Sequence, residues 1–184
     1  GGLWGKVGTR VENSKTPCNP LVRIDLMALT GTYERSLDDK QRLAIPRPLK
    51  DGFRSGESDD LVLAPGNEGC LAVYSLQGFE ALAQQMARLS TGQVNVRNYL
   101  RLLYGQAETV QVDKQSRVRI PERLIRLAGL QHDVVLIGVQ DHVEIWDKGR
   151  WDSFFAQHVD QFDRLTSEAM NQVSGGSGNG LGSA

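Results

Sequence analysis

Residues 38–46 read DDKQRLAIP, and residues 113–121 read DKQSRVRIP. In each copy an Asp stands four positions before an Arg, the Arg opens a short run with alternating apolar residues, and an Ile-Pro pair closes it. The two copies lie 75 positions apart, and similar apolar patterns follow both of them. An internal duplication with this spacing predicts two copies of one unit, related by approximate two-fold symmetry.

The segments around each copy predict the same order of short strands and helices. Short apolar runs bounded by turn residues predict strands, at residues 31–37, 42–45, 61–64 and 71–74, and again at residues 107–112, 117–120, 134–137 and 143–146. A proline at the start of a helix predicts short helices at residues 47–53 and 121–127. Ser75 and Asp147 are candidate N-caps of longer helices. The apolar stripes of these helices comprise Leu76, Phe79, Leu82, Ala83 and Met86 in the first, and Trp151, Phe154, Phe155 and Phe162 in the second.

These patterns divide the chain into five segments. Residues 1–26, rich in Gly, Pro, Asn, Ser and Thr, predict a disordered N-terminal extension, with Met27 as a natural start of the folded part. Residues 27–92 form the first repeat, residues 93–106 a helical connector, and residues 107–173 the second repeat. Residues 174–184, SGGSGNGLGSA, predict a flexible tail.

Composition argues against membrane, secreted and disulfide-rich classes of protein. The 184 residues contain no apolar run of about 18 residues, which argues against a membrane span. The polar residues that follow Lys6 and Arg10 do not fit a signal peptide. Cys18 and Cys70 lie in unrelated contexts without a Cys-x-x-Cys spacing, so we expect neither a disulfide framework nor a zinc site. These features favour the reducing cytoplasm.

The charge of the chain is balanced overall but unevenly distributed. The formal net charge is -1, so the protein is not a polycation that coats nucleic acid indiscriminately. Residues 94–126 carry seven basic and three acidic side chains, whereas residues 127–173 carry eight acidic and three basic ones. The single basic region therefore contains the second copy of the motif.

Together these segments resemble the MraZ family. The stretches LTGTYERSLDDKQRLAIPRPL and LVLAPGNEGCLAVYSLQGFEAL resemble its N-terminal half, and VQVDKQSRVRIPERLIRLAGL and HVEIWDKGRWDSF resemble its C-terminal half. The resemblance implies an α+β, mainly β, fold of two tandem AbrB-like swapped-hairpin β-barrel repeats, each with a short and a long helix. It also implies a homo-oligomeric ring that regulates the division and cell-wall gene cluster, as a repressor in our reading, by binding direct repeats in promoter DNA. Such a protein would be cytoplasmic and associated with the nucleoid.

The family motif corresponds here to Asp38 and Arg42 in the first half and to Asp113 and Arg117 in the second. The family typically has Gly just before the Arg, and this chain has Gln41 and Ser116 instead. Glycine reaches positive φ freely, so its replacement predicts either a different turn or mild strain.

An Arg on a protruding turn suits bidentate contact to guanine or to a phosphate, which makes Arg42 and Arg117 the candidate DNA readers. Basic side chains of the same loops and of the helices that follow could contact phosphates, and these are Lys40, Arg47, Lys50, Lys114, Arg119 and Arg123. We expect Asp38 and Asp113 to accept backbone N–H groups in the turn or to hold the Arg in place, because a carboxylate repels a polyanion.

Three other interpretations compete with DNA binding. Charges at a hairpin tip are usually only solvated, and an interaction scaffold without specific DNA binding would also fit the net charge and the missing glycines. His132, His142 and His158 could hold a metal only if folding assembled them with a carboxylate, so we predict neither metal nor cofactor. No nucleophile–base constellation is recognisable, so we predict no enzyme and no small-molecule substrate. The aromatic stripe after Asp147 fits either core or a subunit interface.

Overall fold

The computed structural model describes residues 28–53 and 58–175, and the side chains of all of these except 173–175. The predicted N-terminal extension, Met27 and Cys18 lie outside the described residues, as does the tail from residue 176 onward. The last helix ends at Gly175, so it continues two residues into the segment predicted as a tail.

The described residues form eight strands and six α-helices. The strands are β1 (Thr32–Ser36), β2 (Arg42–Ala44), β3 (Leu61–Pro65), β4 (Leu71–Ser75), β5 (Glu108–Val110), β6 (Arg117–Arg119), β7 (Asp133–Val139) and β8 (His142–Asp147). The helices are α1 (Arg47–Phe53), α2 (Leu76–Met86), α3 (Val94–Gln106), α4 (Glu122–Ala128), α5 (Lys148–His158) and α6 (Phe162–Gly175). Short 3-10 turns occupy Asn67–Gly69 and Val159–Gln161. Each predicted strand and helix has a counterpart here within a few residues.

Two of the helix starts follow from the predicted caps. The Ser75 side chain accepts a hydrogen bond from the Gly78 backbone N–H at 3.0 Å, which opens α2. The Asp147 carboxylate accepts from the backbone N–H groups of Gly149 and Arg150, which opens α5. Each cap satisfies N–H groups that have no partner in the first helical turn.

The sheet joins the two halves by exchanging their first strands. Six antiparallel strands lie in the order β1-β7-β8-β4-β3-β5. β1 of the first half pairs with β7 of the second, and β5 of the second half pairs with β3 of the first. β4 and β8, one from each half, lie side by side at the centre. This order reads the same from either edge once the halves are interchanged, as expected for pseudo-two-fold symmetry.

β2 and β6 pair with each other in a separate two-stranded antiparallel ribbon, with Leu43 opposite Val118. Both of these side chains are fully buried and face the sheet as part of one core cluster, together with the buried Leu49 of α1 and Leu124 of α4. Alternate residues of the sheet point the other way, where Tyr74 packs with Leu103 of α3. The ribbon and short helices therefore cover one face of the sheet, and the longer helices α2, α3 and α5 cover the other.

The structure changes the predicted fold in one respect. The fold is mixed α and β rather than mainly β, because α3 and α6 are both long and helical residues outnumber strand residues. The halves share one sheet and one main core, because β1 and β5 each pair with a strand of the other half.

Helix packing also departs from the predicted stripes at particular residues. Trp151 and Phe154 pack against Trp146, whereas Phe155 is 51% and Phe162 is 70% exposed. The predicted single stripe is interrupted by the 3-10 turn at Val159–Gln161, after which α6 begins. Leu76 of α2 is likewise exposed, because it occupies the first helical position, beside the cap.

Candidate nucleic-acid interface

The first motif forms a compact turn closed by its own aspartate. Asp38 Oδ1 accepts hydrogen bonds from the backbone N–H groups of Lys40 and Arg42, both at 2.9 Å. Asp38 Oδ2 receives the Arg42 guanidinium, through Nε and Nη2, both at 2.7 Å. One carboxylate thus fixes the backbone of the turn and the direction of the arginine side chain together.

The second motif repeats this arrangement atom for atom. Asp113 Oδ1 accepts from the backbone N–H groups of Gln115 and Arg117, at 2.8 and 2.9 Å. Its Oδ2 receives Arg117 Nε at 2.9 Å and Nη2 at 2.8 Å. Both roles considered for the aspartates from the sequence, backbone acceptor and arginine support, are present in each turn.

The bonds to arginine also fix the charge state of the two carboxyl groups. The Arg42 guanidinium, followed by the backbone N–H of Arg42, lowers the pKa of Asp38 from 3.8 to about 2. Arg117 lowers the pKa of Asp113 in the same way. Both aspartates are therefore ionised at neutral pH, and each turn keeps its ion pair.

In both turns the residue just before the Arg has a left-handed backbone conformation, although it is not glycine. Gln41 has φ 61° and Ser116 has φ 59°. A left-handed conformation costs an L-residue roughly 1–2 kcal/mol. Of the two alternatives considered from the sequence, the strained turn is the one that is present.

The ribbon brings the arginines of both halves onto one outward side. Arg42 lies opposite Arg119, and Ala44 lies opposite Arg117, in the β2–β6 register. Residues directly opposite each other in an antiparallel pair point to the same side. Since Leu43 and Val118 point inward, the three arginines share the outer side. The Arg119 side chain makes no hydrogen bond or ion pair within the described ranges 28–53 and 58–175.

The remaining predicted side chains fall into two groups. Lys40 and Lys114 are exposed at the tips of the two turns, and Arg47 is exposed at the first position of α1, 3.5 Å from Asp51. Lys50 and Arg123 are held by hydrogen bonds to other side chains of the protein. Lys50 Nζ donates to Ser116 Oγ at 3.2 Å, and Arg123 Nη2 donates to Glu108 Oε2 at 2.6 Å.

Two relations at this site could not be read from the sequence. Arg117 Nη1 lies 4.0 Å from Asp38 Oδ2, so each turn adjoins the other. The Arg42–Arg119 pair joins residues 77 positions apart. Alternation along a strand indicates which side a residue faces, but no local signal names the partner strand.

Within residues 28–53 and 58–175 the three histidines belong to no group of three or more His, Cys, Asp or Glu side chains arranged to hold a metal ion. His142 instead stacks on Tyr74 and lies beside Asp141 and Glu144, whose carboxylates raise its pKa. No helix in the described part of the chain is long and apolar enough to span a membrane.

Comparison with known proteins agrees with the duplicated architecture. A family model described as "MraZ protein, putative antitoxin-like" matches residues 28–102 and, a second time, residues 103–172. The chain is 39% identical over 137 residues to a protein of Limosilactobacillus fermentum and 37% identical over 141 residues to one of Mycoplasmoides gallisepticum. These alignments cover 74% and 77% of this chain, and 93% and 96% of the two relatives.

A third relative, from Acetivibrio thermocellus, is 39% identical over 124 residues, which are 67% of this chain and 84% of that protein. All three relatives carry the name "Transcriptional regulator MraZ", which does not denote an enzyme and agrees with the prediction made from the motifs. The matched residues include both aspartate–arginine turns and all eight strands. This chain belongs to the MraZ family of transcriptional regulators.

Proposed function

We propose that this protein is a sequence-specific DNA-binding repressor of the division and cell-wall gene cluster, which binds promoter direct repeats as a homo-oligomeric ring. The observation that carries the proposal is the outer side of the β2–β6 ribbon, where Arg42, Arg117 and Arg119 converge. In this proposal the protein works in the cytoplasm, on the nucleoid. We also propose that residues 27–92 and residues 107–173 are the two repeats of the chain.

The charge of the ribbon supports a polyanionic partner. Like charges directly opposite each other in a strand pair are destabilising, and Arg42 lies directly opposite Arg119. Asp38 neutralises Arg42 in part, whereas Arg119 has no acidic partner among the described residues. A row of phosphates would supply the missing counter-charge.

The shape of the ribbon supports groove binding. The major groove of B-DNA is wide enough for a two-stranded β-ribbon. The aspartates occupy Nε and Nη2 of Arg42 and Arg117, so Nη1 of Arg42 keeps its hydrogens for a DNA contact, whereas Nη1 of Arg117 lies 4.0 Å from Asp38 Oδ2, too far for a hydrogen bond to it. Because each guanidinium is already oriented by its carboxylate, little side-chain entropy is lost when it meets a base. Lys40, Lys114 and Arg47 border this surface and would contact phosphates.

One ribbon offers too few contacts for tight binding at physiological salt. A ring that presents many identical ribbons would gain avidity where the sites recur on DNA at matching intervals. Subunits related head to tail repeat in one direction, so their DNA sites would be direct repeats and not palindromes.

The test is binding of the chain to the DNA upstream of its own operon, measured by fluorescence anisotropy over a range of salt concentrations. Arg42→Ala and Arg117→Ala each remove a predicted base contact, and we expect at least 10-fold weaker binding. Arg119→Ala should reduce the steepness of the log K against log salt plot by about one. Arg88→Ala is the matched control, because Arg88 is exposed beyond α2, in the helical layer on the opposite face of the sheet.

The result separates DNA binding from the scaffold interpretation. If Arg42→Ala and Arg117→Ala bind the promoter with the same affinity as the Arg88→Ala control, these two arginines do not recognise the DNA bases. If the unaltered chain shows no salt-dependent preference for that fragment over unrelated DNA, the scaffold interpretation is favoured. Footprinting of the same fragment would test the direct repeats and give their spacing.

A further inference from the structure

The last helix, α6, leaves an apolar side uncovered. Every described side chain from Phe162 to residue 172 is exposed. Phe155, Val159, Phe162 and Leu165 recur at intervals of three and four residues through the end of α5, the 3-10 turn and α6, and 37–70% of each is exposed. A continuous apolar stripe of this kind marks a contact surface on a soluble protein.

The duplication shows that α6 lacks the packing of its counterpart. α3 follows α2 in the first half as α6 follows α5 in the second. α3 packs against β3 and buries Leu103 to 4% exposure. In the described residues α6 packs closely only against the preceding 3-10 turn, because Trp151 and Phe154 of α5 already cover Trp146. Residues 28–53 and 58–172 therefore leave this stripe exposed.

A complementary surface lies on the outer side of α3. Leu102 is 64%, Val94 is 58% and Tyr99 is 44% exposed. Tyr99 and Leu102 also form one wall of a pocket of about 270 Å³ between α3, α2 and the sheet. Tyr74 and Leu82 line the apolar part of this pocket. Such a pocket, open beside an exposed apolar helix face, accepts an aromatic side chain of a partner.

The charges of the two surfaces are of opposite sign. α3 carries Arg97 and Arg101 and no acidic residue. The turn before α6 carries Asp160, and α6 carries Asp163 and Glu168 with a single arginine, Arg164. Two apolar stripes bordered by opposite charges attract each other and disfavour like-with-like pairing.

We infer that the Phe155–Leu165 stripe of one subunit docks on the α3 face of a second copy of this chain, with Phe162 in the pocket beside Tyr99. The contact joins two different surfaces, a donor stripe and an acceptor α3 face, so each bound pair keeps one unused donor and one unused acceptor for further subunits. Repetition gives a ring when the rotation between neighbouring subunits closes. α3 lies on the sheet face opposite the ribbon, so the ribbons stay accessible to DNA. The inference rests on the proposed homo-oligomer and assigns its interface.

The test uses two full-length variants that each damage one surface, Phe162→Glu for the donor and Leu102→Glu for the acceptor. Molar mass is measured by light scattering after size exclusion. We expect an oligomer for the unaltered chain and the monomer mass for each variant alone. An equimolar mixture should form a 1:1 dimer and nothing larger, because only one intact donor and one intact acceptor remain. Leu127→Glu, on α4 in the ribbon layer, is the control and should keep the oligomer.

Three results would overturn the inferred interface. They are an oligomer of unaltered mass in either variant, a mixture that stays monomeric, and an unaltered chain that is itself monomeric. All three target side chains are at least 44% exposed, so circular dichroism should show an unchanged fold. DNA binding is scored separately at low salt on a duplex with one repeat, where a single ribbon should bind measurably and the monomeric variants keep intact ribbons. If neither the variants nor the unaltered chain prefer that duplex to unrelated DNA at low salt, the result argues against the proposed function and not against the interface.

Discussion

Replacing Gln41 by glycine should stabilise the protein. Gln41 has φ 61°, and this conformation costs an L-residue roughly 1–2 kcal/mol. Glycine avoids that strain but loses about 0.5–1 kcal/mol more chain entropy on folding. The Gln41 side chain makes no hydrogen bond within the described part of the chain, so no hydrogen bond is lost with it. The difference between the mid-range values of these two effects is an expected net gain of about 0.5–1 kcal/mol.

Replacing Ser116 by glycine at the second turn should have a smaller effect. Ser116 has φ 59°, but its Oγ accepts a hydrogen bond from Lys50 Nζ at 3.2 Å. Losing that bond removes about 0.5–1.5 kcal/mol, which offsets the relief of strain. Ser116→Gly should therefore be close to neutral, although the backbone geometry matches that of Gln41.

Thermal unfolding of the full chain measures these differences, at one protein concentration because assembly shifts the melting temperature. For a chain of this size, 1 kcal/mol corresponds to about 2–4 °C, so Gln41→Gly should raise Tm by about 1–4 °C. Gln140→Gly, at φ 60° between β7 and β8, is a control outside the motif and should give a similar gain. Gln41→Val should lower Tm, because a β-branched residue is strained at positive φ. If Gln41→Gly lowers Tm as Gln41→Val does, backbone strain at Gln41 does not limit the stability of the protein.

Two further predictions concern single side chains. The depressed pKa of Asp38 gives the folded state a contribution that is complete above pH 3.8 and is lost as the pH falls towards 2. A carboxyl titration by NMR should place the midpoint near 2, and a midpoint near 3.8 would mean that the bonds to Arg42 do not persist in solution. Ser75→Ala removes the cap of α2 and should lower the free energy of unfolding by about 1 kcal/mol in urea denaturation, with Ser153→Ala, in the interior of α5, as the milder comparison.

Much of the secondary structure was predictable because its signals are local. Pro46 and Pro121 precede helices, Ser75 and Asp147 cap them, and alternating apolar residues give the strands. The Asp-to-Arg spacing of four also predicts the hydrogen bonds within each turn, since both residues belong to one tight loop. Signals of this kind act over a few residues and can be read from one sequence.

The arrangement of the halves depends on partners that the sequence does not name. An apolar run such as residues 134–137 indicates a buried strand, but not that Val135 lies opposite Glu34. The Arg42–Arg119 pair follows from the same exchange of strands. The positive φ of Gln41 was hidden for another reason, since the fold imposes a conformation that glutamine itself disfavours.

The exchange of strands also has a consequence for synthesis on the ribosome. Thr32 pairs with Ile137, about 105 positions later in the chain. At about 5–20 residues per second, β1 must wait roughly 5–20 s before its partner strand has been translated. During that interval the nascent first half exposes the unpaired edge of β3, which later binds β5. Neighbouring nascent chains on one polysome can meet at such edges, so this is the stage at which a chaperone would protect the protein.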